Sequence, residues 1–100
     1  MEVTISARHF ELTEEIKDHI NKELGKLKKY FDNVMNVRVV LDLEKYRHRC
    51  ELNIKVAGQE LVVSEETTDM YTAINNAIDK MERNIKRTKE QLKNHKHREE

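Results

Sequence analysis

The chain has no proline, two glycines and a single cysteine among 100 residues. Without glycine or proline to punctuate it, the chain has little room for long irregular loops, so most of it is expected in regular structure. One cysteine cannot form an internal disulfide, which fits a reducing cytoplasm. No apolar run approaches the ~20 residues of a membrane span. The start, Met1-Glu2-Val3-Thr4, lacks the basic and then apolar stretches of a secretion signal. There is no Gly-rich phosphate loop, no internal repeat and no low-complexity linker.

What is present is charge and regularly spaced apolar side chains. Charged residues make up 38% and hydrophobic ones 37%. The even spacing of the latter argues for a small core rather than disorder, and the length suits one domain. The formal net charge is zero, but its distribution is uneven. Residues 1–79 carry 11 Lys/Arg against 15 Asp/Glu, whereas residues 80–98 carry eight against two. A basic block on an otherwise acidic protein points to contact with a polyanion. The bland alternative is a solvated helix end whose cations suit the helix dipole.

Alternation of Val3, Ile5 and Ala7 with Thr4 and Ser6 predicts a half-buried strand over Glu2 to Ala7. Thr13 is a candidate N-cap for a helix from Glu14 to Phe31, with the stripe Ile16, Ile20, Leu24, Leu27 and Phe31. Gly25 falls on its polar side. A turn at Asp32-Asn33 leads to a second strand, Val37 to Glu44, and Lys45 to His48 forms a polar connection. Cys50 to Val56 is a third strand, and Glu60 to Glu65 a fourth after Ala57-Gly58-Gln59. Such short connections imply an antiparallel meander. Thr68 or Asp69 caps a last helix with the stripe Met70, Ile74, Ala77, Ile78, Met81, Ile85 and Leu92. Thr88 interrupts this stripe, so the final turns are expected to leave the core. The fold class is therefore α+β, in the order β-α-β-β-β-α, with both helices on one face of a four-stranded sheet. The domain is placed at residues 1–94 and a polar tail at 95–100.

On a helical wheel Lys80, Arg83 and Arg87 fall within about 60° of one another opposite the apolar stripe, and Lys86 and Lys93 widen the band. Lys22, Lys26 and Lys29 share one flank of the first helix. With the helices side by side, two basic rows would border one groove, a geometry suited to phosphate backbones. The band holds no aromatic side chain. Tyr30 and Tyr71 lie near the apolar stripes and Tyr46 in the strand connection, so recognition by shape and backbone of folded RNA is expected rather than single-strand stacking.

The same residues offer little for catalysis. Cys50 lies on an apolar strand face, where a thiol is inert. His95 and His97 lack partners at metal-ligand spacing, and His9, His19 and His48 pair with no nucleophile in sequence. No enzyme activity, metal, cofactor or small-molecule substrate is expected.

The run Asp69-Met70-Tyr71-Thr72-Ala73-Ile74-Asn75, continued by Ile78-Asp79-Lys80-Met81-Glu82-Arg83, resembles the hallmark of the ribosome hibernation-promoting factor family, also called ribosome-associated inhibitors or sigma-54 modulation proteins. Glu11-Leu12-Thr13-Glu14 and Leu24-Gly25-Lys26-Leu27-Lys28-Lys29-Tyr30-Phe31-Asp32 resemble its first-helix pattern. The resemblance covers residues 1–95. It implies a domain similar in layout to double-stranded-RNA-binding domains, acting in the cytoplasm on the small ribosomal subunit in the channel used by mRNA and tRNA. It implies inhibition of translation in resting or stressed cells, in stationary phase for example. By the resemblance Lys26, Lys29, Lys80, Arg83, Arg87 and Lys89 contact rRNA; Lys22, Lys86 and Lys93 join them from the wheel. The chain reads as a short member or an isolated N-terminal domain, and a short member would need a separate factor to pair ribosomes. The competing readings are a general binder of structured RNA and a protein-interaction module using its sheet.

Overall fold

The computed structural model describes residues 2–30, 34–56 and 58–98, with side chains for residues 2–28, 36–56 and 58–90. Strand β1 (Glu2–Arg8) leads into helix α1 (Glu14–Tyr30). Strands β2 (Val34–Glu44), β3 (Arg47–Val56) and β4 (Gln59–Thr67) follow, and helix α2 (Met70–Arg98) ends the chain. The sheet order is β1-β2-β3-β4. β2, β3 and β4 form the expected antiparallel meander. β1 pairs in parallel with β2, which requires the crossover that α1 supplies.

Each strand turns one set of alternate residues inward. Ile5, Val39, Leu52 and Val63 are successive partners in one row across all four strands, and the last three are buried. Against this face lie Ile20, Leu24 and Leu27 of α1 and Met70, Ala73, Ile74, Ala77, Ile78, Met81 and Ile85 of α2. Burying one such aliphatic side chain contributes about 1.5–3 kcal/mol, so the two stripes hold the helices to the sheet. The opposite face is largely polar, with Thr4, Ser6, Arg38 and Ser64 exposed on it.

Side-chain caps start both helices. Thr13 Oγ1 accepts from the Ile16 backbone N–H at 3.2 Å. Of the two candidates for α2, Asp69 is the cap: its Oδ2 accepts from the Thr72 N–H at 2.9 Å and the Thr72 hydroxyl at 2.8 Å. Those bonds hold the Asp69 carboxyl below the usual carboxylate range.

Three expectations shift. The strands run past their apolar stretches, because backbone pairing continues wherever the register holds; His48 pairs with Thr67, and β3 begins at Arg47. The connection shrinks to a two-residue turn, Lys45-Tyr46. Thr88 is itself only 7% exposed, so it continues the stripe, a β-branched threonine offering a methyl group to packing; the side chains of the turns beyond Glu90 lie outside the described residues. α2 is helical to Arg98, beyond the point at which a tail is expected. Its 29 residues reach about 44 Å at 1.5 Å each, most of the 53 Å long axis of the molecule. The side chain of Leu92, and Phe31, Asp32, Asn33 and Ala57, lie outside what is described.

Candidate nucleic-acid interface

Helix α2 lies over β3 and β4 and packs beside α1, so its side opposite the core stripe faces outward. Lys80, Arg83, Lys86 and Arg87 are exposed there, and Lys89 is half-buried. On α1, Lys22 and Lys26 are exposed. The side chains of Lys29 and Lys93 lie outside the described residues.

Among the described residues the cations do not face one another across the helices. The hollow between the helices, about 200 Å³, is lined by Glu23, Lys26, Leu27, Asn75, Ile78, Asp79 and Glu82. Three carboxylates thus share the groove with one ammonium. Lys26 Nζ sits 2.6 Å from Glu23 Oε2. The hydrogen bond and charge of Glu23 raise the Lys26 pKa, and Asp79 and Glu82 of α2 add to this. Glu23 is held low by the same bond. Lys80 reaches the other way, 3.6 Å from Glu65 on β4. The helical period explains the arrangement: the rotation that turns Arg83 and Arg87 outward puts Asp79 and Glu82 on the flank beside α1. Arg83 and Arg87 therefore face outward on α2, Lys80 lies on its β4 flank, Lys86 stands at the edge of the acidic seam between the directions of Asp79 and Glu82, and Lys26 of α1 lies in the seam itself. Both lysine side chains are largely exposed, at 64% for Lys26 and 46% for Lys80, while their carboxylate partners Glu23 and Glu65 are partly buried; pairs with one solvated member contribute little to stability.

A polar clamp crosses the seam. His19 Nε2 lies 2.7 Å from Asn75 Oδ1; since that oxygen only accepts, the imidazole donates. The His19 ring meets Tyr71 edge-on at 5.0 Å and 77°. Sequence reasoning left His19 without a role. Its spacing on α1 gave no sign of the partners on α2, 56 residues away in the case of Asn75.

The other titratable groups are dispersed. Cys50 is fully buried, and burial pushes its thiol up to about 12, leaving negligible thiolate near neutrality. His9 Nδ1 lies 2.8 Å from Asp42 Oδ1. His48 Nδ1 is buried without a hydrogen-bond partner among the described residues. Among those residues no three His, Cys, Asp or Glu side chains converge as metal ligands, and no helix is long and apolar enough to cross a membrane. The side chains of His95 and His97 are outside the description.

Residues 3–93 match the family described as sigma 54 modulation protein / S30EA ribosomal protein. The chain belongs to this family. Similar proteins include the ribosome hibernation promoting factor of Escherichia coli, 37% identical over 95 residues that span 95% of this chain and 100% of the relative. That of Pseudomonas putida is 36% identical over 90 residues, 90% of this chain and 88% of the relative. Among solved structures, the N-terminal domain of Thermus thermophilus Protein Y superposes with a TM-score of 0.81 at 33% identity, covering 88% of this chain and 99% of that one. A ribosomal subunit interface protein from Coxiella burnetii superposes with a TM-score of 0.82 at 17% identity, which shows the shared fold alone. Within this sigma 54 modulation / S30EA chain, the run that carries the resemblance has structural duties. Asp69 caps α2, Met70, Ala73 and Ile74 enter the core, and Tyr71 and Asn75 hold His19 of α1.

Proposed function

We propose that this protein is a ribosome hibernation factor that binds small-subunit rRNA in the channel used by mRNA and tRNA, and thereby stops translation in the cytoplasm of resting cells. The observation that carries this reading is the outward face of α2: Lys80, Arg83, Lys86 and Arg87 stand exposed on a helix whose inner side is locked into the core. The names of the Escherichia coli and Pseudomonas putida relatives support it. A rigid helix holds its cations in fixed relative positions, and phosphate neutralisation with counterion release gives affinity without base reading. Lys22, Lys26 and Lys29 would continue the contact on α1, and Lys89 and Lys93 along α2. The acidic seam formed by Glu23, Asp79 and Glu82 repels phosphate and so steers the backbone to the outward faces.

The test is a double charge reversal, Arg83→Glu with Arg87→Glu. Neither residue touches the core, so the melting profile should stay native while binding to purified small subunits and inhibition of cell-free translation are lost. A folded double variant that still binds and inhibits like the parent would exclude this face.

A further inference from the structure

We propose that the tip of the β2–β3 hairpin is a second RNA contact, in which Tyr46 stacks on an unpaired base while Lys45 and Arg47 flank the neighbouring phosphates. The inference rests on the rRNA-binding reading above and adds to it a base contact at a different part of the molecule.

Tyr46 is 85% exposed, the most exposed large hydrophobic side chain among the described residues. It sits in a two-residue turn closed by the Glu44–Arg47 pair, so its backbone has little freedom. Lys45 is held at φ 56°, left-handed without being glycine. A two-residue hairpin turn imposes such a positive φ at its first position, which fixes the tip. The ring is thus presented outward on a stiff tip, and a pre-placed ring with only two side-chain torsions loses little entropy on binding.

The surroundings select the partner. A protein-binding anchor sits at the centre of a patch that is fully desolvated in the complex, whereas Tyr46 stands between exposed Lys45 and Arg47 with Glu44 next to them. A hollow of about 280 Å³ beside the tip is lined by Glu44, Lys45 and Arg47. An aromatic face with cations on both sides is the arrangement that stacks bases and tracks a backbone. Glu44 repels phosphate, yet its carboxylate accepts from the amino or imino edge of a base.

The position complements the helical face. His48, two residues beyond Tyr46, pairs with Thr67, just before α2 begins at Met70. The tip therefore lies at the α2 N-terminal end of the sheet. Thirteen residues of helix from there to Arg83 span about 20 Å. The outward face of α2 offers cations without a ring, and the tip offers a ring. Two contacts on one rigid body reinforce each other through effective concentration.

The chain contains no tryptophan, so Tyr46→Trp installs its single tryptophan at the tip, whose emission is read as the difference from the same titration with the parent. Titrated with purified small subunits, this variant should bind like the parent, and its emission should be quenched by stacking. Tyr46→Ala should lose roughly 5- to 150-fold in affinity, Tyr46→Phe should keep it, and all three should melt like the parent. The slope of log affinity against log salt should be unchanged in Tyr46→Ala, since no phosphate contact is removed. Parental affinity of Tyr46→Ala, or a blue shift of the tryptophan without quenching, as in an apolar protein pocket, overturns the stacking contact alone. Absence of small-subunit binding by the unmodified protein overturns the rRNA reading and this inference with it.

Discussion

Replacing His19 by alanine removes the clamp between the helices and tests the structural role of the family run. Two interactions disappear: the 2.7 Å hydrogen bond to Asn75 and the edge-on contact with Tyr71. A net hydrogen bond contributes about 0.5–1.5 kcal/mol and an aromatic edge contact about as much again. Both groups are partly solvated, so the lower half of the sum applies, about 1–2 kcal/mol. For a domain of this size that lowers the melting temperature by about 5–15 °C. Urea unfolding at fixed pH and salt measures the free energy, and a double-mutant cycle with Asn75→Ala isolates the bond. The expected coupling is about 0.5–1.5 kcal/mol. Additivity of the two substitutions within about 0.3–0.5 kcal/mol would show that His19 and Asn75 do not act as a pair.

Gly25 is on the exposed side of α1, and a Cβ added there meets nothing within 4 Å; Gly25→Ala should stabilise the fold by about 0.5–1 kcal/mol, read as a higher melting temperature. Ile78→Asp places a carboxylate at a buried position of the α2 stripe and should unfold the domain, so a native-like circular dichroism melt would remove that position from the core. The His9–Asp42 pair raises the histidine above 6.5 and lowers the aspartate below 3.8. The histidine contribution is complete below pH 6.5 and fades as pH rises through its raised pKa; the aspartate contribution is present above pH 3.8 and fades as pH falls through its lowered one. His9→Gln should therefore lower the melting temperature near pH 5–6 and much less at pH 9; an equal loss at both would contradict the pairing.

Much of the fold is legible because burial imposes a period. Strand alternation in Val37-Val39-Leu41 and Cys50-Leu52-Ile54-Val56 and the four-and-three spacing of Ile16 to Leu27 each report one inward face, and all of them face the core. Ala73 is fully buried yet absent from the predicted stripe, which takes in Ala77 but not the alanine one turn before it. Strand pairing is a relation between distant segments, so neither the parallel β1–β2 register nor the continuation of β3 to Arg47 is visible locally. The basic face is legible in the same partial way. A wheel shows that Lys80, Arg83 and Arg87 lie opposite the stripe, but not which flank of α2 adjoins α1. That choice puts Asp79 and Glu82 in the seam and sends Lys80 toward Glu65. The clamp of His19, Tyr71 and Asn75 required the assembled structure, as did the tightness of the turn at Tyr46, whose place in the connection between strands is legible in the sequence.

Whether the outward face of α2 meets phosphate is decided by the salt dependence of binding to purified small subunits. If Lys80, Arg83, Lys86 and Arg87 each neutralise one phosphate, log affinity should fall with log salt with a slope of about −3 or steeper. Alanine at Lys80, Arg83 or Arg87 should each flatten that slope by about 0.7–0.9. Glu51→Gln with Lys55→Gln, on the opposite face of the sheet, should leave it unchanged. An unchanged slope in the helix variants, together with a flattened one in the strand variant, would place the RNA on the other side of the protein.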